Sequence, residues 1–194
     1  MDLGVAAAIG SSATGAPLRA GMPELGTLVE LGPRLKFWPW GRQRQPIVRI
    51  DLPLRAVFDI SDAMASRGFT LEPRVSLILG RPGDRWLRLG VSALFADSAY
   101  NDQFYGVDPT YANAVRPAFA ARAGLVAQRA TVAFGWALSP VWSVGGFVRF
   151  DDVAGAANRA SPLVDARHGW TAGIALTVRL ARSSLPAADG AADD

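Results

Sequence analysis

The feature that most constrains this chain is a two-residue alternation of apolar and polar side chains, repeated segment after segment. Over 27–39, Val29, Leu31, Leu35 and Phe37 share one face and Glu30, Gly32, Arg34 and Lys36 the other. Over 47–58, Val48, Ile50, Leu52, Leu54, Ala56 and Phe58 oppose Arg49, Asp51 and Arg55. Over 68–79, Phe69, Leu71, Val75, Leu77 and Leu79 oppose Thr70, Glu72, Arg74 and Ser76. Over 86–96, Leu87, Leu89, Val91, Ala93 and Phe95 oppose Arg88, Gly90 and Ser92. Segments 131–138, 142–151 and 170–180 follow suit, with Arg149, Asp151 and Arg179 on their polar faces. Residues 2–9 form a weaker eighth candidate. Successive strand side chains point to opposite faces, so this period predicts an all-β chain of about eight strands.

The uncharged stretch 130–148 tests that prediction. A membrane-spanning helix needs about 20 apolar residues, and this run nearly qualifies by length. Ser139-Pro140 interrupts it, however, and the alternation continues on both sides. The stretch therefore reads as a hairpin.

Alternation alone does not say which face is buried. The breaks at 40–46, 80–85 and 139–141 are short, whereas those at 10–26, 59–67, 97–124 and 152–169 are longer. Short turns on one rim and long loops on the other characterise a transmembrane β-barrel, and tilted membrane strands of about 9–11 residues suit these segments. Aromatics gather near the strand ends: Phe37, Trp38, Trp40, Phe58, Phe69, Trp86, Phe95, Trp136, Trp142, Phe150 and Trp170. Interfacial girdles place them there. Half of the residues are apolar and only 19% charged, with a mean hydropathy of +0.17. The expected fold is an antiparallel transmembrane β-barrel, apolar side out, with both termini on the periplasmic rim. The alternative is a soluble barrel or sandwich with the apolar side in. Pro33, Pro53 and Pro73 fall inside expected strands, where a missing N–H demands bulges or strand ends.

Several function classes fall on composition. There are no cysteines and one histidine, His168, which excludes thiolate chemistry and multi-histidine metal sites. His168 has no Ser-His-Asp arrangement around it and reads as an ordinary loop residue. No catalytic, metal or cofactor residue is expected. Twenty basic residues face seventeen acidic ones, scattered rather than clustered, so no nucleic-acid partner is expected. Met1-Asp2 begins without a basic region, so the chain is either processed or truncated, or not exported.

The polar faces carry Arg34, Lys36, Arg49, Arg55, Arg74, Arg88, Arg149 and Arg179 against Glu30, Asp51, Glu72 and Asp151. Inside a barrel this excess of cations has two readings. One is an anion-favouring passage; the other is an ion-paired filling that closes a narrow interior. The loop 97–124 holds Tyr100, Phe104, Tyr105, Tyr111 and Phe119. These rings either anchor a partner or sugar, or form the small core of a loop folded over the barrel mouth.

From Asn101 to Leu180 the sequence resembles the MipA/OmpV family of Gram-negative outer-membrane proteins. The resemblance is carried by Phe104-Tyr105-Gly106-Val107 with Pro109, by Arg116-Pro117-Ala118-Phe119, and by Ser161-Pro162-Leu163-Val164. GMPELGTLVELGPRLKFWPW and IDLPLRAVFDI extend it, so that it covers roughly 21–180. It implies an outer-membrane barrel surrounded by lipid, without enzymatic activity or cofactor. It further implies a scaffold between a murein-hydrolysing and a murein-synthesising enzyme, or else a small porin. On this resemblance the family's signal peptide and some N-terminal strands are expected to be missing from the sequence. Residues 1–180 are expected to form the barrel, and 181–194 a flexible acidic tail without the terminal aromatic usual in such proteins.

Overall fold

Residues 2–7, 17–40, 47–81 and 83–178 are described in the computed structural model, the first segment as backbone alone. The strands are β1 (Asp2–Ala7), β2 (Leu28–Trp40), β3 (Ile47–Asp59), β4 (Ala65–Leu71), β5 (Arg74–Gly80), β6 (Arg85–Ala96), β7 (Gly124–Ala137), β8 (Trp142–Asp152) and β9 (His168–Val178). One helix, α1 (Ser98–Tyr105), follows β6. All the strands lie in one antiparallel sheet ordered β1-β2-β3-β4-β6-β7-β8-β9. β5 continues the place of β4, because it too pairs β3 and β6. The expected single strand over 68–79 is thus split at Glu72-Pro73, where the ladder has no N–H to use. Eight positions result, and 130–148 forms the β7–β8 hairpin. No helix is long and apolar enough to cross a membrane.

Side-chain exposure settles the orientation of the faces. Val75, Val91, Val132 and Ile174 are 47%, 61%, 48% and 79% exposed, while Asp51, Ser76 and Glu72 are 4%, 1% and 5% exposed. An apolar face open to the surroundings and a polar face out of reach invert the arrangement of a water-soluble sheet. Among the described residues, no second layer covers the polar face away from α1 and the loops. The sheet therefore covers it by curling on itself. Glu72, at the β4–β5 junction, meets Arg129 of β7 at 3.2 Å across the intervening β6.

Among the described residues β1 and β9 are the two edges and do not pair with each other. Several expectations need correcting. Pro33 and Pro53 cause no bulge. Leu31–Ala56 and Arg34–Pro53 keep one register, so the missing donor removes rungs without lengthening either strand. The register shifts lie instead between Phe37 and Trp40, Ala56 and Phe58, and Leu94 and Phe95. The break at 59–67 is shorter than expected. β4 starts at Ala65, and the turn is closed by Ala63 and Met64 with φ of 45° and 63°. Trp86 does not join the outer girdle; it lies on the inner face, its indole over Gly135 of β7. Residues 181–194 lie outside the described residues.

Outside, Trp40, Trp136 and Trp142 are exposed at the short-turn rim, and Phe69, Phe95 and Trp170 at the other. Where the curl is tight, backbone meets backbone: a Cβ on Gly32 would collide with the carbonyl oxygen of Leu54. Gly32→Ala should cost about 1–3 kcal/mol, the range for forced overpacking. Gly169, with nothing nearby, should accept alanine within about 0.5 kcal/mol. Urea unfolding of the two variants in detergent measures the difference.

Candidate functional site: an ionic inner face and a loop cap

The strand register dictates which inner charges meet. Asp51 of β3 lies opposite Lys36 of β2 and Arg74 of β5. It takes Arg49 Nε at 2.8 Å and Arg34 Nε at 3.3 Å. Arg55 holds Glu30 at 2.7 Å. Glu72 receives Arg74 at 2.9 Å, Ser92 Oγ at 2.9 Å and Arg129 at 3.2 Å. Arg129 also binds Asp151 at 2.9 Å, which Arg149 binds from β8 at 2.9 Å. Arg74, Glu72, Arg129, Asp151 and Arg149 therefore form one chain of alternating charge across β5, β6, β7 and β8. Charge-assisted hydrogen bonds of this kind offset the desolvation of buried ions.

Most of the charges expected inside are brought together in this way, and the ion-paired filling describes most of the inner face. Two exceptions stand out. Arg179 lies outside the described residues. Arg88 meets no carboxylate at ion-pair distance among the described residues; its guanidinium stands 5.7 Å from the Trp86 ring centroid. Sequence reasoning missed Arg129, although it shares parity with Thr131, Ala133 and Gly135. Its strand begins at Gly124, seven residues before the alternation was counted. Asp59 was missed likewise. It is 2% exposed and accepts Arg67 at 3.0 Å and the Ser61 N–H at 2.9 Å.

At the long-loop rim the aromatic loop folds inward. Asp97 caps α1 by accepting the Tyr100 N–H at 2.9 Å. Tyr100 and Tyr105 pack on Leu94, Ala96 and Val126, and the Tyr100 and Phe104 rings lie 4.9 Å apart. These rings are the loop's own small core. Burial pushes the Tyr105 phenol up, and burial, aided by Glu30, pushes Tyr100 up to about 12.

The motif residues converge on this cap. Ser161 Oγ donates to the Tyr105 carbonyl at 2.6 Å and accepts the Leu163 N–H at 3.2 Å. Pro162 between them is half-buried. Val107 bridges Phe119. Gly106 lies against Asp102, where a Cβ would clash, and Pro109 opens a short turn capped by Asp108. Arg116 donates to the Tyr111 carbonyl at 2.8 Å and to the Leu18 and Ala20 carbonyls at 2.9 and 3.0 Å. Pro117 is exposed beside it. Two asparagines invisible to motif reading complete the lock. Buried Asn101 and Asn158 each donate to the Arg122 carbonyl at 2.8 Å, and Asn158 accepts the Arg122 N–H. The cap is a set of loops knotted through backbone groups, with side chains as the pins.

His168 opens β9, exposed, 3.5 Å from Asp152 and stacked on Phe150. Among the described residues no group of three His, Asp or Glu side chains is placed to hold a metal ion.

Residues 1–180 match the family described as MltA-interacting protein MipA. The chain belongs to this family. The match spans every described strand, so the ionic inner face and the loop cap both fall within the MipA region. No curated protein and no solved structure matches the chain.

Tyr100 provides a titration test of the cap. Its neutral phenol is favoured in the fold over the value near 10 of an exposed tyrosine. That stabilisation is whole below pH 10 and is lost as the pH climbs through about 12. Phenolate absorbance should show a late step near pH 12 that Tyr100→Phe removes.

Proposed function

We propose that this MipA-family chain is a non-catalytic outer-membrane β-barrel protein that docks a murein-hydrolysing enzyme and a murein-synthesising one from the periplasmic side. The observation that carries the membrane part is the inverted polarity. Apolar residues 47–79% exposed face outward while Asp51 and Glu72 are buried inside, an arrangement that water disfavours and lipid favours. The family's printed description, an MltA-interacting protein, supports a partner among murein enzymes. Closure of the curled sheet into a ring belongs to the same proposal, since edges in lipid leave unsatisfied backbone groups.

The short-turn rim is the docking surface in this reading. Its described part is a cleft of about 360 Å³ between Gly83-Asp84 and Ser139-Val141. Asp84, Trp86, Trp136, Pro140 and Trp142 line it; the turn at 41–46 lies outside the described residues. The turns are themselves pinned. Ala137 N–H donates to the Asp84 carbonyl at 2.7 Å, and Ser139 Oγ accepts the Trp142 N–H at 3.0 Å. Large indole faces in a preformed cleft are the usual anchors of protein contacts.

The chain, immobilised in detergent, should retain a purified membrane-bound murein hydrolase and a murein synthase above the level of an unrelated β-barrel. Exchanging 139–141 for Gly-Asn-Gly should weaken retention at least tenfold while leaving the heat-shifted gel migration intact. Retention no better than the unrelated barrel overturns the docking role. A second reading, a small passive channel, is favoured by the excess of inner cations. Planar bilayers should then show anion-selective steps, and silent bilayers remove it.

A further inference from the structure

The inner face is not electrically balanced. Arg34, Lys36, Arg49, Arg55, Arg67, Arg74, Arg88, Arg129 and Arg149 face Glu30, Asp51, Asp59, Glu72 and Asp151 among the described inner residues. Each carboxylate already has a guanidinium at ion-pair distance: Asp51 has Arg34 and Arg49, Glu30 has Arg55, Asp59 has Arg67, Glu72 has Arg74 and Arg129, and Asp151 has Arg129 and Arg149. Asp51 Oδ1, however, accepts no hydrogen bond among the described residues. The surplus collects at Arg88. Its electrostatic neighbours are Arg49, Arg74 and Arg34, with one carboxylate, Asp51, that already serves two guanidinium groups.

The register opens space at the same place. Arg88 lies opposite Ala133, and the short residues Ala133, Gly145 and Gly173 line the space beside it. A recess of about 410 Å³ results, bordered by Arg74, Arg88, Thr131, Arg149 and the Trp86 ring, and no carboxylate lines it. Arg74 and Arg149 each reach it with one part of a guanidinium already tied to a carboxylate. Among the described residues Arg88 has no carboxylate at ion-pair distance and only the Trp86 ring beside its guanidinium. Arginine's planar fork matches the oxygens of a tetrahedral oxyanion. Like charges crowded in a partly shielded space gain most from an anion between them.

We propose that this recess is a binding site for a small, multiply charged oxyanion of the phosphate or sulfate type, held by Arg88 with Arg74, Arg149 and Thr131 around it. The site stands on the inner-face geometry alone and not on the docking role. Its presence would make the interior a charge-compensated compartment rather than an open passage.

Isothermal titration of inorganic phosphate into the detergent-folded chain at low ionic strength tests it, with sulfate, acetate and chloride as comparison anions. Saturable binding of phosphate or sulfate is expected, at least tenfold tighter than acetate or chloride. Arg88→Gln should weaken it tenfold or more and Arg88→Lys should restore part of it. Ala133→Asp keeps Arg88 but places a carboxylate opposite it, and should abolish binding even if Arg88→Gln folds poorly. Arg85→Gln, at an exposed guanidinium over the Trp136 ring, should bind like the parent chain. The proposal is overturned by no saturable phosphate or sulfate binding, by undiminished binding in Ala133→Asp, or by equal losses in the Arg85 and Arg88 variants. A chain that binds phosphate but retains no murein enzyme leaves the anion site standing and removes the docking role, and the converse holds as well.

Discussion

Pairing between guanidinium and carboxylate groups on the concave face is what the rest of this structure depends on. Each inner ion, withdrawn from water, would otherwise cost several kcal/mol. The alternating chain from Arg74 through Glu72, Arg129 and Asp151 to Arg149 ties neighbouring strands at fixed register. A slip of one residue along any of them would turn charges toward the apolar side. Curl and ionic pairing thus require each other. The curl brings the charges together, and the charges leave the sheet only one register in which to curl.

The two rims divide the remaining work. At one, tight turns and exposed indoles present a rigid, shallow surface. At the other, three loops are held by hydrogen bonds from Asn101, Asn158, Ser161 and Arg116 to backbone carbonyls. Loops fixed in this way hold together around a small apolar cluster, which among the described residues is Leu94, Ala96 and Val126 with Tyr100 and Tyr105 packed on it. The short motifs at 104–109, 116–119 and 161–164 map onto this cap, where Ser161 and Arg116 reach particular carbonyls.

Strand existence was legible because the period-2 pattern is a local property. Val29 to Phe37 and Leu87 to Phe95 declare their faces within a dozen residues. Boundaries were less legible. Arg129 was overlooked because its strand begins amid Leu125, Val126 and Ala127, where the alternation is blurred by the register shift at Leu94 and Phe95. Trp86 was assigned outward because aromatics near strand ends usually are. Its inward position follows from Gly135 on the neighbouring strand, which leaves room for the ring, and no local pattern reports a cross-strand partner. The prolines misled in the opposite sense, since a lost rung is tolerated where the flanking pairs hold the register.

What the amino-acid order determined by itself is the strand class, the two-faced polarity and the family, because side-chain alternation and motif identity are written in adjacent residues. The tertiary structure alone decided which charges neutralise one another and which, like Arg88, are left over. It also decided that Asn101 and Asn158 lock the cap, and that β1 and β9 remain edges among the described residues. Those outcomes depend on distances between strands far apart in the chain, which only the curl of the sheet establishes.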